Sequence, residues 1–116
     1  MKFTIARLDL ENLVKAASPA RARKSDTITL TAFGSRVFVD NRGVVAAMDV
    51  AVMADGAVTL PAKVFRKVLD TYKGTRLLEF EASAEGLRIQ TFRMSALSFD
   101  SKPKPPADFH VLPPLK

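Results

Sequence analysis

Glu79 and Glu81 alternate along one strand-like stretch, so their carboxylates point the same way, an arrangement that could chelate a metal ion or act as an acid and base pair. A strand face in contact with water is the favoured explanation. His110 is the only imidazole in a chain without Cys, so an N/S-ligated zinc site cannot be assembled within it, and serine hydrolysis would depend on that one residue. It falls in a Pro-rich tail with nothing to orient it, and reads as a solvated or packing side chain. Asp49 is the one charge in an apolar run. Ala47 and Ala51 share its face, which suits partial exposure rather than catalysis. The five glycines are scattered at turns and a helix end, with no phosphate-cradling loop among them. No catalytic residue, no metal and no cofactor is expected.

The residues left with chemistry to offer are cations. Eighteen Lys and Arg stand against twelve Asp and Glu, a net charge of +6 that favours a polyanionic partner. They fall into two clusters. Lys15, Arg21, Arg23 and Lys24 form a run without an intervening acid, and Lys63, Arg66, Lys67, Lys73 and Arg76 are opposed only by Asp70. Such surfaces can hold phosphates without reading bases. Stacking on single-stranded bases is not suggested, because Phe65 and Tyr72 fall on the apolar side of their helix. A charged helix face that serves solubility alone is the competing explanation.

Both clusters belong to helices or helix exits. Leu10, Leu13, Val14 and Ala17 recur at helical spacing after a short strand over 2–7, with Asp9 placed to cap the helix, Leu8 and Leu13 to staple it, and Pro19 to end it. The second helix lies between Pro61 and Gly74, with Phe65, Val68, Leu69 and Tyr72 on one side and the cations opposite. Period-two alternation marks a strand at 27–32, a second returns at 36–41 and an apolar run forms the third at 44–54, separated by turns at Gly34-Ser35 and Asn41-Arg42-Gly43, with Asp55-Gly56 closing the third. Three more follow at 76–82, 87–93 and 94–99. The order β-α-β-β-β-α-β-β-β predicts an α+β fold with two helices on one face of an antiparallel sheet.

At 116 residues and 47% hydrophobic composition, the chain suits one domain that buries its core without staples. Residues 1–100 form the expected body. Residues 101–116 form a strap or tail rich in proline, in which Phe109, Val111 and Leu112 supply apolar anchors. Charges at Arg7, Asp9 and Glu11 interrupt any signal peptide, and the most apolar window, 43–54, is too short to span a membrane; a cytoplasmic location is expected.

Four stretches resemble the bacterial DNA polymerase III β sliding clamp family, most closely its N-terminal domain. They are Met1-Lys2-Phe3-Thr4-Ile5, the segment Gly56-Ala57-Val58-Thr59-Leu60-Pro61-Ala62-Lys63-Val64-Phe65, Glu85-Gly86-Leu87-Arg88-Ile89, and Pro106-Ala107-Asp108-Phe109. The resemblance implies a non-enzymatic, DNA-clamp-like domain whose sheet faces outward and whose helices face duplex DNA. In that family six domains close a ring. By position, Lys15, Lys63, Arg66, Lys67 and Lys73 would face the DNA, with Arg21, Arg23 and Lys24 in the connector that follows the first helix. Two features depart from the family: Ala20-Arg21-Ala22-Arg23-Lys24-Ser25-Asp26 replaces its usual leucine- and proline-rich stretch, and this chain has room for one domain where the family has three. Self-association through strand edges and a replication or repair protein partner are therefore expected. The alternative is a protein-interaction module that keeps the fold without encircling DNA.

Overall fold

The computed structural model of the chain describes residues 1–18 and 26–113. In chain order it has β1 (Lys2–Ala6), α1 (Arg7–Ala16), β2 (Thr27–Phe33), β3 (Arg36–Asn41), β4 (Val44–Asp49), β5 (Val52–Ala54), β6 (Gly56–Pro61), α2 (Ala62–Thr71), β7 (Leu77–Ser83), β8 (Gly86–Ile89), β9 (Phe92–Met94), β10 (Ser98–Asp100) and β11 (His110–Val111). The α+β class and both helices agree with the sequence. The strands, however, divide between two sheets rather than one, in the orders β5-β1-β7-β8-β9 and β10-β6-β2-β3-β4-β11. The apolar run at 44–54 leaves the second sheet at Val50 and enters the first as β5, opposite Phe3 and Lys2. Gly56 does not end a strand but begins one, because Val58 and Leu60 bury their side chains in alternation with half-exposed neighbours.

The two halves repeat one device. The strand before α1, β1, pairs with β7, the strand after α2; the strand before α2, β6, pairs with β2, the strand after α1. Each helix therefore starts directly off a strand, and its first amide donates to a backbone carbonyl at the foot of the paired strand. Arg7 N donates to Arg76 O at 3.0 Å and Ala62 N to Asp26 O at 2.9 Å. This replaces the side-chain caps that helix starts otherwise need. It also corrects the expectation for Asp9: α1 begins at Arg7, Asp9 sits buried in the first turn, and Leu8 is 59% exposed and staples nothing.

Inward residues of both sheets, among them Phe3, Ile28, Leu30, Leu78 and Phe80, meet Leu10 and Leu13 of α1 and Phe65 and Leu69 of α2 in one core. Phe3 and Phe80 stack with centroids 4.8 Å apart, and Phe65 tilts onto Phe80. Gly74 leaves no mark as a helix cap: α2 ends at Thr71 and the turn runs on through Tyr72.

The segment after β10 crosses the second sheet. β10 lies at one edge and β11 at the other, five strand spacings apart or about 24 Å at ~4.8 Å each. The ten residue steps from Asp100 to His110 supply about 31 Å at the polyproline rise of ~3.1 Å, so the segment must run nearly extended, which Pro103, Pro105 and Pro106 favour. At the far end Phe109 packs edge-on against Phe38, centroids 5.0 Å apart, over a small outer cluster with Val45 and Ala47.

Candidate nucleic-acid interface

Among the described residues, the strongest concentration of charge outside ion pairs is on α2. Ala62, Phe65, Val68 and Leu69 are buried. At about 100° per residue, Lys63, Arg66 and Lys67 then project from the opposite side within an arc of ~100°. Lys63 and Lys67 are exposed and Arg66 is half-buried. Five ion pairs join described residues, and none involves α2. Asp70 shares that side of the helix and closes no bridge to any of the three. Lys73 lies beyond the helix in the exposed turn that follows it, and Arg76 is exposed at the foot of β7. Three like charges held close, with only the unbridged Asp70 beside them, repel one another, a cost that an anion on that face would lower.

On α1 the arrangement differs. Lys15 is exposed, but its Nζ is 3.6 Å from Glu11 Oε1, and the other oxygen of Glu11 accepts from Arg7 Nη1 at 3.0 Å. Lys15 is thus the end of an i,i+4 ladder in which one carboxylate serves two cations. An exposed pair of this kind is weak and yields readily to a phosphate. Arg21, Arg23 and Lys24 lie outside the described residues.

Arg7 itself escapes sequence reasoning, which counts it only as an early charge. It is buried, and its Nε donates to Leu69 O at 3.1 Å in the last turn of α2, while its backbone amide bonds the carbonyl of Arg76. One side chain therefore joins the start of α1 to the end of α2 and sets the two helices relative to each other.

Of the carboxylates considered for catalysis, Glu79 is exposed on β7, and Glu81 and Asp49 are paired with arginines. Glu81 accepts from Arg88 Nη2 at 2.8 Å, and that hydrogen bond, with the nearby guanidinium charge, holds its carboxyl below the usual carboxylate range. Asp49 accepts from Arg36 Nε at 2.8 Å at the surface. His110 is exposed in β11. Among the described residues no group of three or more His, Asp or Glu could hold a metal ion. An open groove of about 440 Å³ beside β7, β8 and β9 is lined by Glu81, Arg88, Arg93 and Met94 among others, with no paired nucleophile and base. Among the described residues no helix is long and apolar enough to cross a membrane.

No family model matches the chain, and no curated protein does. Among solved structures, the fold is that of a bacterial β clamp domain. The Helicobacter pylori β clamp bound to a DNA ligase peptide aligns over 84% of this chain with a TM-score of 0.67 at 18% identity. The DNA polymerase III β subunit of Pseudomonas aeruginosa aligns over 93% with a TM-score of 0.64 at 20% identity. That of Caulobacter crescentus aligns over 97% with a TM-score of 0.64 at 19% identity. The chain spans about a third of the length of these clamps, 30% of the first and 32% of each of the others.

Proposed function

We propose, from a fold shared with bacterial β clamp domains, that the chain is a non-enzymatic, sliding-clamp-like domain that holds duplex DNA by its phosphates. The face of α2 bearing Lys63, Arg66 and Lys67 supplies the principal contact. The observation that carries this reading is the lack of any ion pair on α2 among described residues, on a fold otherwise laced with surface pairs. A face kept only for solubility gains nothing from holding three neighbouring cations against a single unbridged acid, whereas phosphates spaced along a duplex compensate them all. Lys15 is the secondary contact, released from Glu11 as a phosphate approaches, and Lys73 extends the surface past the helix end. Arg21, Arg23 and Lys24, which lie outside the described residues, are further phosphate contacts in this reading.

A single domain does not enclose a duplex, and association of copies is the route to topological retention in this reading. Strand edges are the means this fold offers, because β5, β9 and β10 each end a sheet among the described residues. A replication or repair protein in the cytoplasm is the further partner. The test is retention of duplexes of unrelated sequence by the purified chain and by a variant carrying Lys63→Glu, Arg66→Glu and Lys67→Glu. Equal retention of unrelated duplexes by the parent chain and loss by the variant support the reading. Equal retention by parent and variant at low salt refutes it and leaves the interaction module without DNA.

A further inference from the structure

The outer face of the second sheet carries a covered row. Asp100 of β10 lies opposite Ala57, Ala57 opposite Thr31, Thr31 opposite Phe38, Phe38 opposite Ala47, and Ala47 opposite Val111 of β11. The strap thus leaves the sheet at one end of this row and rejoins it at the other. The four residues between point away from the core, since their chain neighbours Val58, Leu30, Val39 and Met48 fill it. Even so, Thr31, Phe38 and Ala47 are only 6%, 3% and 0% exposed, and the strap above them is what shields them.

Burial along the strap has a period of three. Pro103 is buried, Pro106, Phe109 and Leu112 are half-buried, and every residue between them is exposed. Three residues per turn is the polyproline helix, so one of its three ridges lies against the sheet and two face water. That ridge repeats every ~9.3 Å, close to two strand spacings of ~4.8 Å, and so meets the sheet in step with alternate strands. Phe109 docks on Phe38, with the Arg36 guanidinium 5.6 Å from its ring centroid. Among the described residues, no hydrogen bond joins residues 103–108 to the sheet. The ties lie at the far end, in the two-residue ladder of β11 and the bond from Leu112 N to Ala47 O at 2.7 Å.

We propose that this row is the floor of a docking groove for a proline-rich segment of a partner protein, and that the strap is its resident occupant. The occupant defines the segment that fits: two prolines three residues apart, an aromatic residue three further on to meet Phe38, and an aliphatic one after three more. An extended proline-rich chain is already close to its bound shape, so it gives up little freedom on docking. Exchanging one such ridge for another leaves the core closed. A second copy's strap gains nothing over the resident, which is identical and held at high effective concentration by its own chain. A partner segment does gain, because Pro106, Phe109 and Leu112 are each only half-buried and leave surface that a better-fitting segment buries. This reading gives chemistry to the protein partner proposed above, and it uses no residue of α1 or α2.

The test is made on the full chain. A fluorescent peptide with the sequence of residues 101–113 is titrated against the parent and against a variant carrying Pro103→Ser, Pro106→Ser and Phe109→Ala, whose own strap lacks its ridge. A closed strap lowers the apparent affinity by the fraction of chains whose groove is open, so the variant is expected to bind about tenfold more tightly than the parent. A peptide with Ser at the positions of Pro103, Pro106, Phe109 and Leu112 is expected not to bind; one with Ser at the positions of Lys104, Pro105 and Asp108 is expected to bind as the parent sequence does. Thermal unfolding shows whether the variant keeps its fold, and Phe109→Ala alone, with a smaller gain expected, decides the matter if it does not. Folded variants that take up no peptide, or that take up both altered peptides alike, overturn the groove. Parent dimers in light scattering that the peptide breaks apart would assign the groove to a second copy's strap and overturn the partner. Duplex retention is expected to be equal in all three proteins: failure of peptide binding alone leaves the DNA reading standing, and failure of the parent to retain DNA leaves the groove standing.

Discussion

The Arg7 guanidinium donates from Nε to the carbonyl of Leu69, 3.1 Å away and 62 residues along the chain, and this buried bond is where the two helices are tied. Leu69 O belongs to the last turn of α2, whose carbonyls lack helical partners, and a cation there also suits the negative end of the helix dipole. Arg7→Ala leaves that carbonyl buried with nothing to replace the guanidinium. The expected loss is about 2 kcal/mol in chemical denaturation. Arg7→Lys does not recover it, since one ammonium cannot serve Leu69 and Glu11 with the fork geometry of the guanidinium. Full stability in Arg7→Lys would show that charge alone matters at this position.

Gly56 begins β6 directly against the first residue. A Cβ added there would lie 2.6 Å from Met1 Cβ and 2.9 Å from Met1 N. Met1 cannot easily retreat, because its carbonyl accepts from Ala82 N at 2.9 Å. Gly56→Ala is therefore expected to cost about 1–3 kcal/mol, as overpacking does, and thermal unfolding will measure it. A neutral result would mean that the junction of β6 with β1 is loosely packed.

Glu81 fixes a pH dependence. Its hydrogen bond from Arg88 lowers the folded pKa from 4.5, so the folded state holds the carboxylate more firmly ionised than the unfolded chain does. The stability this adds is present above 4.5 and is lost as pH falls through the lowered folded value. Replacing Glu81 with Gln is expected to flatten that part of the acid limb and leave stability near neutrality little changed, as measured by denaturation at a series of acid pH values. An acid limb of unchanged steepness would assign the effect to other carboxylates.

Much of this architecture is legible in the chain. The turns at Gly34-Ser35 and Asn41-Arg42-Gly43 join strands where expected, with Arg42 and Gly43 both at positive φ, and α2 shows its core side and its cations at helical spacing. What escaped has physical reasons. Val44 to Ala54 is apolar at every position but Asp49, before and after the chain changes sheets at Val50, so hydropathy is blind to the crossing. Gln90 turns at φ 55 between β8 and β9 without a Gly or Pro to announce it. On the candidate interface, Lys63, Arg66 and Lys67 were legible because a helix converts their spacing into one face. The pairing of Lys15 with Glu11 and the burial of Arg7 depend on where α1 begins, and that is set by β7 in the other half of the chain.

The contribution of α2 to phosphate binding can be counted. Each phosphate neutralised adds about 0.9 to the slope of log K against log salt, so three contacts add about 2.7. The most direct measurement is that slope on one duplex for the parent chain, for a variant carrying Lys63→Gln, Arg66→Gln and Lys67→Gln, and for Lys15→Gln alone. The account predicts that the triple variant loses about 2.7 from the magnitude of the slope, and that Lys15→Gln loses less than about 0.9 because Glu11 already offsets its charge. A triple variant with the slope and affinity of the parent would contradict it, whatever the fold.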